Sequence, residues 1–232
     1  FQSVQFRMME NLLGLRRKNR LKFSKQEYTS FLSGDEKQIV ENCENGKTLS
    51  DVIESWLERM PFLETKHYNF WESYKNSVSK MFKNDIKIIK NNPNLSNLSK
   101  KDQISTYSNI LSDYELLFDI NKYQKLLDSG TRQISQKASL AALFIMLYRE
   151  EPILQAPYRL LTKLIDIDHS LNNWRHSHAL LVKRMIGSKI GTGGSSGYSY
   201  LKKTMEKNNI FDDYSNLTTY IIPKSKLSIL PE

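Results

Sequence analysis

A single histidine lies within an otherwise apolar helical stripe. Its imidazole is the side chain of this sequence that most clearly suggests a functional role. The stripe has alternating gaps of four and three residues, a spacing that predicts one face of a long helix. Its members are Leu160, Leu164, Ile167, Leu171, Trp174, His178, Leu181 and Met185. An imidazole on a buried seam is unfavourable without a partner. His178 is therefore either a core histidine satisfied by hydrogen bonds or a ligand to a bound group.

The surrounding sequence limits which metal centre His178 could serve. Neither position 174 nor position 182 is histidine, so no pair stands at the helical spacing, and His176 faces another side of the helix. A zinc site needs several protein ligands, and Cys43 is the only cysteine. A haem needs only one axial ligand from this side, because the porphyrin supplies the other four bonds. A haem iron therefore suits His178 better than zinc does.

A glycine-rich loop follows this stripe. Residues 187–197 hold five of the chain's nine glycines. The loop is neither a P-loop nor a dinucleotide fingerprint, because no strand precedes it and Lys189 comes before its GTGGSSG run. One interpretation is a flexible linker. The other is a loop whose amides and hydroxyls fold over a small polar ligand, the hydroxyls being those of Thr192, Ser195 and Ser196.

A second cluster of functional side chains stands at the end of another predicted helix. Residues 48–60 have helical spacing, and Pro61 marks the end of that helix. The segment from Trp56 to Pro61 places an indole, a carboxylate and a guanidinium close together. Trp56 is either an ordinary core residue or part of a small binding site.

Helical periodicity dominates the rest of the chain, and no strand pattern is evident before the apolar tail. It predicts helices over residues 1–14, 68–91, 102–118 and 136–151, a polar loop at 91–101, and a turn at Gly34-Asp35. Pro157 is expected in the first turn of the long helix. The predicted fold is all-α, a bundle of long helices forming one domain over residues 1–232. Residues at about 62–130 form an inserted helical subdomain in this prediction.

Composition excludes several classes of protein. The 232 residues carry a net charge of +9, but the lysines are spread along the chain and mixed with acidic residues. The densest basic run, residues 16–22, is better explained as a solvated face, so we expect no nucleic-acid partner. No apolar run is long enough for a membrane span, and no signal peptide is expected. The lone Cys43 rules out an intrachain disulfide and favours a reducing, cytoplasmic setting.

Taken together, these motifs resemble the tryptophan 2,3-dioxygenase family of haem enzymes. The segment from Trp174 to His178, WRHSH, followed by RMIGSKIGTGGSSGY, is similar to the family signature. Further similar segments occur in the family's order: FQSVQFRMMENLLG, SWLERMPF, YREEP and LTTYIIP. The resemblance covers nearly the whole chain and is weakest over residues 80–125.

This resemblance implies cleavage of the indole 2,3-bond of L-tryptophan by O₂, giving N-formylkynurenine. It implies a homotetramer containing haem b, with His178 as the axial ligand of the iron. Trp174 would lie near the haem edge. Thr192, with its neighbours Gly191 and Gly193, would bind the amino-acid end of the substrate. A non-catalytic helical module that binds haem or tryptophan is the alternative.

Two departures from the family pattern bear on the sites. Trp56, Glu58, Arg59 and Pro61 match a second, non-catalytic tryptophan site of animal members, but the arginine usual after YREEP is Ile153 here. The family's distal phenylalanine, histidine and arginine lie upstream of FQSVQFR, and this chain begins at that motif. We therefore expect no catalytic residue within these 232 residues. The distal half of the pocket is expected from an upstream portion or a separate N-terminal chain.

Overall fold

The computed structural model describes residues 9–15, 32–60, 70–187, 209–227 and 229–230. Within these ranges the secondary structure is helical and contains no strand, which confirms the all-α prediction. No helix in the same ranges is both long enough and apolar enough to cross a membrane. Two compact units divide the chain: Phe1–Trp56 with Arg159–Ser215, and Leu57–Tyr158 with Asn216–Glu232. The inserted subdomain at about 62–130 stays a prediction.

Eight α-helices can be bounded within the described ranges, and residues 9–13 are helical as well. In chain order they are α1 (Gly34–Asn45), α2 (Leu49–Leu57), α3 (Phe70–Asn91), α4 (Asn97–Leu116), α5 (Ile120–Ser129), α6 (Gln136–Leu147), α7 (Pro152–Ile186) and α8 (Asp212–Asn216). Short 3₁₀ turns follow at Leu217–Tyr220 and Lys224–Lys226.

Three predicted boundaries are wrong, two of them because a serine caps the helix. Helix α4 begins at Asn97, inside the predicted polar loop, because the Ser96 side chain accepts a hydrogen bond from the Ser99 amide. Helix α1 includes the predicted turn, because Ser33 and Glu36 form a reciprocal capping box ahead of it. Helix α7 begins at Pro152, so Pro157 lies inside the helix.

The second unit is built around α6, which is apolar on every side. Nine of its twelve residues are buried, as expected for a helix without a polar face. Ser135 caps it as predicted, accepting a hydrogen bond from the Ala138 amide at 3.2 Å. The hairpin of α3 and α4 supplies aromatic rings to this unit, with Tyr74 and Tyr114 5.9 Å apart between ring centroids.

Tyr74 makes a buried hydrogen bond within this unit that can be tested directly. Its side chain is 2% exposed, and its hydroxyl donates to the carbonyl oxygen of Tyr220 at 2.5 Å. We expect Tyr74→Phe to lower the free energy of unfolding by about 1 to 1.5 kcal/mol, because the carbonyl loses its buried donor. Tyr107→Phe on α4, at a partly exposed position, is the control and should change it by less than about 0.5 kcal/mol. Urea denaturation of both variants measures the difference. Equal midpoints for the two variants would contradict a stabilising role for the hydrogen bond from Tyr74 to Tyr220.

The buried stripe of the long helix α7 shares only Leu164 and Leu171 with the predicted one. Leu160, Leu181 and Met185 are 39%, 49% and 74% exposed, so the prediction that they are core residues is wrong. The buried stripe combines apolar with charged side chains, namely Leu161, Leu164, Asp168, Leu171, Arg175 and Ala179. Its gaps are also three and four, so periodicity alone could not separate the two stripes. The two charges are buried because each has a partner, as described below.

Candidate functional site

His178 and Trp174 form a stacked pair on one face of α7. They stand one helical turn apart, and their ring centroids are 4.9 Å apart with planes inclined by only 6°. The imidazole is half-buried, and the indole is 36% exposed. The indole face therefore restricts rotation of the imidazole.

The imidazole has no hydrogen-bond partner among the described residues. Within that part of the chain, nothing therefore supports the interpretation of His178 as a core histidine satisfied by hydrogen bonds. The same part of the chain contains no group of three or more His, Cys, Asp or Glu side chains that could hold a metal ion. Such an imidazole can bind a metal that brings its remaining ligands with it, as haem iron does.

An apolar groove lies beside the indole. Its volume is about 600 Å³, within the range of ~300–1,000 Å³ typical of small-molecule sites. One wall comes from residues 9–13 and the other from α7, and the lining residues are Met9, Leu13, Lys163, Asp166, Ile167, Ser170, Leu171 and Trp174. The polar members include an exposed ion pair of Lys163 with Asp166 at 2.8 Å. The groove thus offers a mainly apolar surface, with charged groups among its lining, beside the indole that stacks on His178.

Asp168 is a buried carboxylate on the other stripe of α7. It is 5% exposed and accepts hydrogen bonds from the amides of Ile210 and Phe211 at 2.9 and 2.6 Å. Burial raises the pKa of this carboxyl above its usual value, against the opposing effects of the two amides and nearby Arg175. The carboxylate thereby joins the chain at residues 210–211 to the helix that carries His178.

Arg175 is the second buried charge of α7. Its Nη2 and Nε lie 2.7 and 3.2 Å from Oε1 of Glu10, and the two side chains are 6% and 4% exposed. Nη1 donates to the Asn172 side chain at 2.6 Å, and Asn172 donates to Asn209 at 2.8 Å. Sequence reasoning missed this network. The sequence carries one indication of it, because Asp168 and Arg175 have helical spacing relative to Leu161, Leu164 and Leu171.

The residues predicted for a second tryptophan site are placed individually. Trp56 is half-buried near the end of α2 in the first unit, while Glu58 and Arg59 belong to the second unit. The Glu58 carboxylate accepts a hydrogen bond from the Ser135 hydroxyl at 2.5 Å and so supports the cap of α6. Ile153 is 71% exposed. The second site stays a prediction.

The predicted substrate-binding residues lie outside the described part of the chain. These are Gly191, Thr192 and Gly193, and Pro61 of the second cluster is also outside it. Helix α7 ends where the sequence pattern stopped, with Gly187 in a left-handed conformation at φ 62°. The chain is described again from Asn209, which is hydrogen-bonded to Asn172 of the same helix.

Comparison with known proteins gives one consistent result. The family model described as tryptophan 2,3-dioxygenase matches residues 1–221. The tryptophan 2,3-dioxygenase of Bdellovibrio bacteriovorus is 44% identical over 232 residues, covering 100% of this chain and 65% of the relative. That of Dictyostelium discoideum is 40% identical, covering 100% and 58%. That of Mus musculus is 37% identical, covering 97% and 55%. The chain therefore spans less than two-thirds of the length of these relatives.

Proposed function

Because the chain belongs to the tryptophan 2,3-dioxygenase family, we propose that it forms the proximal half of a haem-dependent dioxygenase that cleaves the indole 2,3-bond of L-tryptophan. The observation that carries the proposal is the half-buried His178 stacked on Trp174, whose indole lines an apolar groove. In this proposal His178 would hold the haem iron, and Trp174 would lie near the haem edge.

The described residues fit a haem on three counts. The imidazole stands on a long helix and has no competing hydrogen bond within the described ranges. The neighbouring groove is lined mainly by apolar side chains, which suit a porphyrin face. No carboxylate or cysteine cluster in those ranges offers an alternative metal site. Haem b, when bound, supplies the iron that makes the oxygen chemistry accessible.

The residues of this chain orient the reactants and exclude water. His178 in its neutral form presents a ring nitrogen, and the parallel indole of Trp174 limits the angles that the ring adopts. The apolar wall keeps water from the proximal face. In the proposed reaction the C2–C3 bond of the indole breaks, and each carbon gains one oxygen atom of the same O₂. Both oxygen atoms appear in N-formylkynurenine, so no external reductant is needed.

The substrate side of the pocket rests on the family resemblance. Thr192, Gly191 and Gly193 are proposed to bind the amino-acid end of tryptophan, whose charges need polar partners. The residues on the distal side are proposed to come from the portion of the relatives that this chain does not span. We accordingly propose that the 232 residues alone bind haem weakly and turn over little tryptophan. A homotetramer and a cytoplasmic location also remain part of this proposal.

Thr192→Ala tests the proposed substrate contact. We expect tryptophan binding to the haem-loaded, full-length protein to weaken about tenfold, because one hydrogen bond to a charged group is worth roughly 1.5 kcal/mol or more. Haemin affinity should stay within about twofold of wild type. Isothermal titration with L-tryptophan measures the first effect, and haemin titration measures the second. Thr219→Ala, at an exposed threonine outside the loop, is the control. Unchanged tryptophan affinity in Thr192→Ala would remove the loop from the substrate site.

A further inference from the structure

The ion pair of Glu10 with Arg175 stands in a place where charges are normally avoided. Both side chains are almost completely buried, at 4% and 6% exposure. Removing two charges from water is expensive, and an apolar pair of the same volume is often equally stable. A contribution to stability is therefore a weak explanation for this pair. A role in holding neighbouring segments in place explains it better.

Each partner belongs to one of the two helical segments that form the walls of the groove beside Trp174. Glu10 lies in the helical segment 9–13 between Met9 and Leu13, which line one wall. Arg175 follows Trp174 directly, and Trp174 and Leu171 line the other wall. Because consecutive helical residues differ by about 100° around the axis, the guanidinium can reach Glu10 while the indole faces the groove. The ion pair thus connects the two walls on their buried side.

The far end of the first wall is fixed as well. Gly14 adopts φ +109°, and a Cβ at this position would lie 2.5 Å from the Cβ of Ser50. The segment 9–15 therefore packs closely against the start of α2 at one end, while Glu10 attaches it to α7 at the other. Rotation of α7 is restricted further by Arg175, which also binds Asn172 and, through it, Asn209.

We propose that Glu10 and Arg175 are positioning residues that hold the two groove walls, and with them the Trp174–His178 stack, at the separation required to bind haem. This inference rests on the proposed function and extends it to residues on the buried side of α7. Neither side chain contacts the haem in this proposal. Their effect is on how tightly the porphyrin is held and on how uniformly His178 faces the iron.

The test replaces the ion pair by an apolar pair in the full-length protein. The double variant Glu10→Met with Arg175→Met should keep its helix content and unfold cooperatively, since both charges of the pair are removed together. Haemin binding should weaken by about tenfold or more, as is typical when residues that orient a metal ligand are lost. The iron–histidine stretching band in the resonance Raman spectrum should broaden or shift. Glu150→Gln with Lys224→Gln, which removes an exposed pair of equal length, 2.7 Å, is the matched control and should change neither readout.

A second variant covers the case in which the double variant fails to fold. Glu10→Asp keeps the charge but shortens the side chain by one methylene, so it should fold and still show the same Raman change with weaker haemin binding. Wild-type affinity and an unchanged Raman band in a folded variant would overturn the positioning role while leaving the proposed function intact. If the wild-type protein itself shows no histidine-ligated haem, the proposed function and this inference are both overturned.

Discussion

Replacing His178 by alanine is expected to abolish histidine ligation of haem in the full-length protein. The imidazole stacks on Trp174, which lines the apolar groove, and it is the ligand to the iron in the proposed function. Haemin affinity should fall by more than the ~10–100-fold typical of losing a supporting residue, because the ligand itself is removed. Alanine favours the helix more than histidine does, so helix content should be unchanged. Visible absorption, resonance Raman and circular dichroism measure these effects.

His176→Ala is the matched control for this substitution. His176 stands on the same helix two residues earlier, and its side chain is exposed. It should bind haemin as wild type does and give the same spectrum. If His178→Ala retained an axial histidine, or if His176→Ala lost it, the assignment of the iron ligand to His178 would be wrong.

Asp168→Ala, which removes a buried carboxylate from α7, is expected to lower the stability of the protein strongly. It would leave the buried amides of Ile210 and Phe211 without their acceptor. Each unsatisfied amide costs about 1–3 kcal/mol, so the free energy of unfolding should fall by about 3 kcal/mol. Asp166→Ala, which removes an exposed carboxylate two residues earlier, should change it by less than about 1 kcal/mol. Urea denaturation compares them, and equal losses would contradict the role of Asp168.

The raised pKa of Asp168 also predicts a dependence of stability on pH. A carboxyl whose pKa is higher in the folded state binds its proton more tightly there than in the unfolded chain. Its contribution is therefore fully present below the ordinary pKa of 3.8 and is lost as the pH rises through the folded value. The stability of wild type relative to Asp168→Asn should accordingly decrease as the pH rises from about 4. An increase over that range would show that the amides, and not burial, dominate.

Local sequence signals predicted the helices because each signal acts within one turn. The cap at Ser135, the glycine end of α7 at Gly187 and the apolar character of α6 all appear as expected. The errors at Ser33 and Ser96 have the same origin, since each serine accepts a hydrogen bond three residues ahead and extends a helix into polar sequence. Weighing serine caps above the polar character of the following residues would have corrected both.

The buried face of α7 could not be predicted, because its charged residues depend on partners distant in sequence. Arg175 pairs with Glu10, 165 residues away, and Asp168 caps amides 42 and 43 residues away. A prediction that assigns apolar residues to the core expects Leu181 and Met185 to be buried and these two charges to be exposed. The same spacing places Trp174 and His178 in the buried stripe, but the indole is 36% exposed and the imidazole is half-buried.

Whether His178 binds haem iron is best tested by the visible absorption spectrum of the 232-residue chain titrated with haemin. The titration is made with and without the portion of the relatives that this chain does not span. We expect a sharp spectrum of histidine-ligated haem when both parts are present. With L-tryptophan, the same sample should take up O₂ in an amount that matches the tryptophan consumed. No haem spectrum in either sample would contradict this expectation. His178 would then be an ordinary helical histidine, and family membership would inform the fold alone.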